Sequence, residues 1–121
     1  MKYSELIVWQ KAMDLVTEIY QVTATFPNEE RFGLSSQMRR AAASIPSNIA
    51  EGHGRKLTGA YLNHLSIAYG SLMELETQVQ IADRLNFISP DTAANILVNT
   101  DEIGKMLTGL KKSLADQPES P

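Results

Sequence analysis

The chain has 121 residues, 43% apolar and 21% charged, and a formal net charge of −3, the proportions of one globular domain with room for a core. It contains no cysteine, which excludes disulfides, thiolate catalysis and sulfur-ligated metals. The acidic balance argues against a general nucleic-acid coat protein, and no apolar run approaches the roughly 20 residues of a membrane span.

Met1-Lys2-Tyr3-Ser4-Glu5 lacks the basic region and apolar stretch of a signal peptide, so a cytoplasmic protein is expected. Residues 4–26 then predict a first helix. Leu6, Trp9, Met13, Val16 and Tyr20 recur at steps of three and four, and Ile7, Leu15, Ile19, Val22 and Phe26 widen the face. Ser4 is the expected N-cap, and Phe26-Pro27-Asn28 the stop, because proline disfavours helix in the residue before it. Residues 29–34 form a polar connection with a glycine at 33.

Ser35 is expected to cap a second helix, which Pro46 should break or kink near Ala42, whose carbonyl the ring strikes. Its alanines suit close approach to a neighbouring helix, and Gly52-His53-Gly54 ends it. Thr58 should cap a third helix to about Leu85 with the stripe Leu65, Tyr69, Leu72, Leu75, Val79, Ala82 and Leu85, a coiled-coil-like period. Asn86 is the expected left-handed stop. Ser89-Pro90 supplies N-cap and first position of a fourth helix, lined by Ile96, Ile103, Met106 or Leu107, Leu110 and Leu114. The expectation is an all-α, antiparallel up-down-up-down four-helix bundle over residues 1–115, with its second helix kinked at Pro46 and a disordered tail at 116–121. Val8, Ile67, Met73 and Ile81 fall outside the main stripes and supply a motive for a second, intermolecular interface.

The densest signal lies between Gln37 and Gly52. At about 100° per residue, Gln37, Arg40, Ser44, Asn48 and Glu51 share one helix face. Residues 37–64 carry Arg39, Arg40, Arg55 and Lys56 against Glu51 alone, so the basic charge concentrates here. Arg39 and Arg40 support two readings: forked donation to phosphates, or structural ion pairs with acids such as Glu51 or those of the third helix. Arg55, Lys56 and the amides near Thr58 form a weaker anion-attracting candidate; the surrounding glycines lack Walker spacing and follow a helix. His53 and His64 lack the Glu-x-x-His partners of a di-iron bundle, no nucleophile elbow occurs, and Glu74 and Glu76 flank Leu75 without sharing a face. No catalytic residue, metal site, cofactor or small-molecule substrate is therefore expected.

Four blocks in order carry a family resemblance: Leu6-Ile7-Val8-Trp9-Gln10-Lys11-Ala12-Met13 with Phe26-Pro27; Gly33 through Ala42; Ser44 through Gly52; and Ile67 through Glu76. Over residues 3 to about 88 the chain resembles the four-helix-bundle proteins encoded within intervening sequences of bacterial 23S ribosomal RNA genes. The resemblance implies a non-enzymatic bundle that assembles into a homo-oligomeric ring, typically a pentamer. Arg39, Arg40, Ser44, Asn48 and Glu51 fall on its signature positions. The related accessory proteins of diversity-generating retroelements form basic pentameric barrels that engage nucleic acid and a reverse transcriptase; this chain differs in being acidic. The expected function is a homo-oligomeric binding or scaffold protein associated with RNA through its basic segment. The alternative is a retroelement-type accessory factor.

Overall fold

Apolar residues recurring every three to four positions coil the chain into four helices: α1 Ile7–Thr23, α2 Leu34–His53, α3 Thr58–Arg84 and α4 Pro90–Ala115. Short 3₁₀ turns at Tyr3–Glu5 and Asn28–Glu30 precede α1 and α2. The computed structural model describes residues 1–117, and no strand occurs among them. Each helix packs on its chain neighbours and α1 closes on α4, while the diagonal pairs stay apart. Contacts run in opposite senses: Gly52 meets Tyr61 and His64 while Ser44 meets Ser71, and Thr100 bonds Glu76 while Gly104 meets Leu72. The all-α four-helix bundle is therefore the fold.

The core is filled by Leu15 and Ile19 from α1, Met38, Ile45 and Ile49 from α2, Leu65, Leu72, Leu75 and Val79 from α3, and Ile96, Ile103 and Leu107 from α4. The α3 stripe lands as expected except at its end, where Leu85 is exposed. On α1 the expected Leu15 and Ile19 are core and Leu6, Trp9, Val16 and Val22 pack against it, but Val8 and Ala12 are buried as well, and Ile7, Met13 and Tyr20 are exposed. Val8, expected at a second interface, is thus core, and Met73 is half-buried against it; Ile67 and Ile81 do face outward.

Helix ends separate the sound expectations from the wrong ones. Asn86 adopts φ 60°, and Phe87 N–H bonds Ala82 O at 2.9 Å while Asn86 N–H bonds Asp83 O at 3.0 Å, the paired bonds of a Schellman stop. Phe87 then packs on Phe26, ring centroids 5.4 Å apart. Ser89 Oγ accepts from Thr92 N–H at 3.1 Å, with Pro90 opening α4. Ser4, Ser35 and Thr58 do not cap: the N-cap positions are Leu6, Gly33 and Leu57, none with a side-chain cap bond. Ser35 is buried inside the first turn of α2. At the other end of the chain, Asp116 is the C-cap of α4, and residues 118–121 of the expected tail lie outside the described residues.

Pro46 does not break α2, which is helical from Leu34 to His53 with the proline buried. Proline has no N–H for the Ala42 carbonyl. At the next two carbonyls, Ser47 Oγ donates to Ala43 O at 2.8 Å and Asn48 Nδ2 to Ser44 O at 2.9 Å, so side chains supplement the backbone beside the missing bond.

Candidate functional site

The polar stripe of α2 divides in two. Its C-terminal half is consumed by α3. Ser71 Oγ donates to Ser44 Oγ at 2.9 Å, and Asn48 Nδ2 donates to that same oxygen at 3.0 Å. With its amide nitrogen so engaged, Asn48 presents Oδ1 to His64 Nδ1 at 3.1 Å, which places the proton on Nδ1. Glu51 lies 4.0 Å from the same ring nitrogen and pairs with Arg55 at 3.2 Å. This seam requires close helices, and Gly52 permits them: a Cβ there would sit 2.7 Å from His64 Cβ and 3.0 Å from Tyr61 Cδ1. Gly52 is accordingly a buried helical residue rather than a position past the helix end, and Gly54 is the C-cap. Burial also pushes the Tyr61 hydroxyl above its ordinary pKa.

The basic residues also separate. Arg39 is half-buried and holds the end of α1: Nε donates to Thr23 Oγ1 at 2.8 Å, Nη2 to Tyr20 O at 3.3 Å, and the guanidinium lies 4.7 Å from the Tyr20 ring centroid. Thr23 passes the chain on to Ile19 O at 2.7 Å. A cation at a helix C-terminus is favoured by the exposed carbonyls. The structural role of Arg39 is therefore to clamp α1 to α2, with no carboxylate involved. Arg40 is exposed and forms neither ion pair nor hydrogen bond among the described residues. Arg55 and Lys56 lie beyond the other end of α2, roughly 20 Å away at about 1.5 Å per residue. The four basic residues thus do not form one patch.

Arg31, in the polar connection between α1 and α2, joins Arg39 and Arg40 instead. With Tyr20, Phe32 and Ser36 they line a shallow concavity of about 400 Å³ where α1 ends and α2 begins. Phe32 is 88% exposed, and the Arg31 guanidinium sits 5.3 Å from its ring centroid. An aromatic beside a basic residue in a short polar turn was the available signal. Gln37, on the same stripe, is exposed. Elsewhere, the α1–α4 groove is lined by Lys11, Asp14, Glu18 and Glu102, with Lys11 bonding Glu102 at 3.0 Å. Among the described residues no group of three or more His, Asp or Glu side chains is arranged to hold a metal.

The structure is thus an all-α bundle with a polar α2–α3 seam and an arginine–aromatic concavity at one end. Its family is specific: residues 4–109 match the model of the 23S rRNA-intervening sequence protein, and the chain belongs to that family. It is also similar to the crystal structure of a protein of unknown function from the S23 ribosomal protein family of Bacteroides thetaiotaomicron. The two share 25% identity at a TM-score of 0.79, over 88% of this chain and 99% of the other. No curated protein matches the chain.

Proposed function

We propose that this protein is a non-enzymatic, homo-oligomeric binding protein that associates with RNA through the basic concavity at the α1–α2 junction. The carrying observation is Arg40: an exposed guanidinium with no protein partner among the described residues, beside Arg31 and Arg39. Five planar donors left free at a basic concavity suit phosphate oxygens. The family's connection with 23S ribosomal RNA intervening sequences supports RNA as the source of that phosphate. The overall charge of −3 confines binding to this local patch. The polar groups that could resemble a catalytic cluster, Ser44, Asn48, His64 and Ser71, are engaged in joining α2 to α3, which supports binding over catalysis.

Assembly into a ring, of five subunits as the family resemblance implies, is part of the proposal. Ile7 and Met13 on α1 and Ile67 and Ile81 on α3 remain exposed and supply apolar surface for such contacts. No described helix is long and apolar enough to cross a membrane, consistent with the proposed cytoplasmic location. The test is titration of labelled structured RNA, carrying both helices and loops, at several salt concentrations, with light scattering on the free protein. A complex that weakens linearly in log–log salt, from an oligomer near five times 13.4 kDa, is expected. Failure to bind at low salt overturns the RNA reading; a 13.4 kDa particle at micromolar concentration overturns the assembly.

A further inference from the structure

We infer that the α1–α2 concavity selects unpaired RNA, with Phe32 as a stacking platform for a base and Arg31 and Arg40 as donors to the flanking phosphates; this rests on the RNA-binding reading above. A phenylalanine 88% exposed on a turn of a water-facing surface contributes little to its own fold. Its ring remains open even with the Arg31 guanidinium 5.3 Å from the centroid. Tyr20, 46% exposed, gives a second aromatic in the same concavity, with Arg39 held 4.7 Å from its centroid. Arginines interleaved with aromatic faces are the elements that grip single strands, because every base presents a π-face.

The ligand's own geometry favours the same reading, since an unpaired base can lay its face on the exposed Phe32 ring of this shallow concavity. Duplex RNA hides its base faces and is read across successive grooves by a basic surface spanning many base pairs. The concavity gathers three arginines, Arg31, Arg39 and Arg40, and at the far end of α2 Arg55 is committed to Glu51 at 3.2 Å. Arg39 contributes field rather than free donors, since its Nε and Nη2 are bonded to Thr23 and Tyr20.

The test measures affinity for an unstructured RNA of about 12 nucleotides, within the usual site sizes, and for the duplex of the same sequence. The parent protein and its Phe32→Ala, Phe32→Leu and Phe32→Tyr variants are compared, with melting and light scattering on each. Parent protein should prefer the single strand by roughly tenfold or more. Phe32→Ala and Phe32→Leu should lose about 5- to 100-fold for the single strand, the range a lost base stack produces, while Phe32→Tyr retains binding. Melting and subunit number should not move. Equal affinity for both strands, or single-strand binding indifferent to Phe32→Ala, overturns the inference while leaving the RNA reading intact. No binding of either RNA by the parent overturns both. A changed subunit number in Phe32→Ala overturns the inference in favour of a contact between copies of the chain.

Discussion

Replacing Gly52 by alanine tests whether the α2–α3 seam is set by backbone approach. The added Cβ would lie 2.7 Å from His64 Cβ, 3.0 Å from Tyr61 Cδ1 and 3.3 Å from Tyr61 O. His64 Cβ is fixed to the α3 backbone, so no rotamer change relieves it. The helices must part locally from 2.7 Å to at least 3.4 Å, the near edge of ordinary contact. Overpacking of this kind costs about 1–3 kcal/mol, and the Asn48–His64 bond at 3.1 Å stretches with it. Alanine's better helix propensity returns about 1 kcal/mol, leaving a net loss of up to about 2 kcal/mol. Gly109, with nothing within 4 Å of its added Cβ, is the control: there only the propensity gain applies. Thermal melting by circular dichroism at one fixed protein concentration should place Gly52→Ala below the parent and Gly109→Ala at or above it, a few degrees per kcal/mol. A Gly52→Ala protein that melts higher than the parent refutes the close-approach account.

Three further outcomes are expected. Arg39→Gln removes the bonds to Thr23 and Tyr20 and the stacking on the Tyr20 ring, and should lower stability by about 1–2 kcal/mol in denaturant unfolding; an unchanged midpoint contradicts the clamp. Asn48→Ala strands the His64 Nδ1–H at a site where the side chain is 15% exposed and should cost about 1–3 kcal/mol by the same measurement, whereas a neutral effect contradicts the seam. Tyr61 has a folded pKa raised above 10.0 by burial, so the unfolded chain ionises first: stability is full below pH 10.0 and falls as pH rises through the folded value. Alkaline unfolding of the parent and a Tyr61→Phe variant checks this, the variant losing less stability above that pH.

Helix number and the sharpest boundaries were legible because their signals are local. Asn86 needs only its own tolerance of positive φ, and Ser89-Pro90 needs only the adjacent turn. The face of α1 was legible only in part: Leu15 and Ile19 are core as expected and Trp9 and Val16 pack on it, but an apolar arc this wide does not by periodicity show that Met13 and Tyr20 lie outside and Val8 and Ala12 inside. Small Ala12, fully buried, weighs little in a hydrophobic count yet marks the packed side. The failed caps have a related cause: Ser35 has the right chemistry, but burial against the bundle outweighs its capping preference.

The stripe of α2 was visible as a face, but its partners were not. His64 and Ser71 reach Asn48 and Ser44 from another helix, and Thr23 reaches Arg39 from a third. Only the fold brings those positions together, and only the fold shows that Arg39 is bonded to α1 while Arg40 has no partner among the described residues. Gly52 carries the same lesson. Termination explains a glycine near a helix end, and only the α3 backbone shows why this one lacks a side chain.

Arg40 is proposed to face nucleic-acid phosphate while its neighbour Arg39 holds the fold. It is tested most directly by the salt dependence of RNA binding in Arg40→Gln against the parent. The variant should keep the parent's melting temperature and subunit number, bind RNA more weakly, and show a log K against log salt slope shallower by about 0.7, one phosphate contact on a single strand. An Arg40→Gln protein with the parent's slope and affinity, or one that no longer folds or assembles, would contradict it.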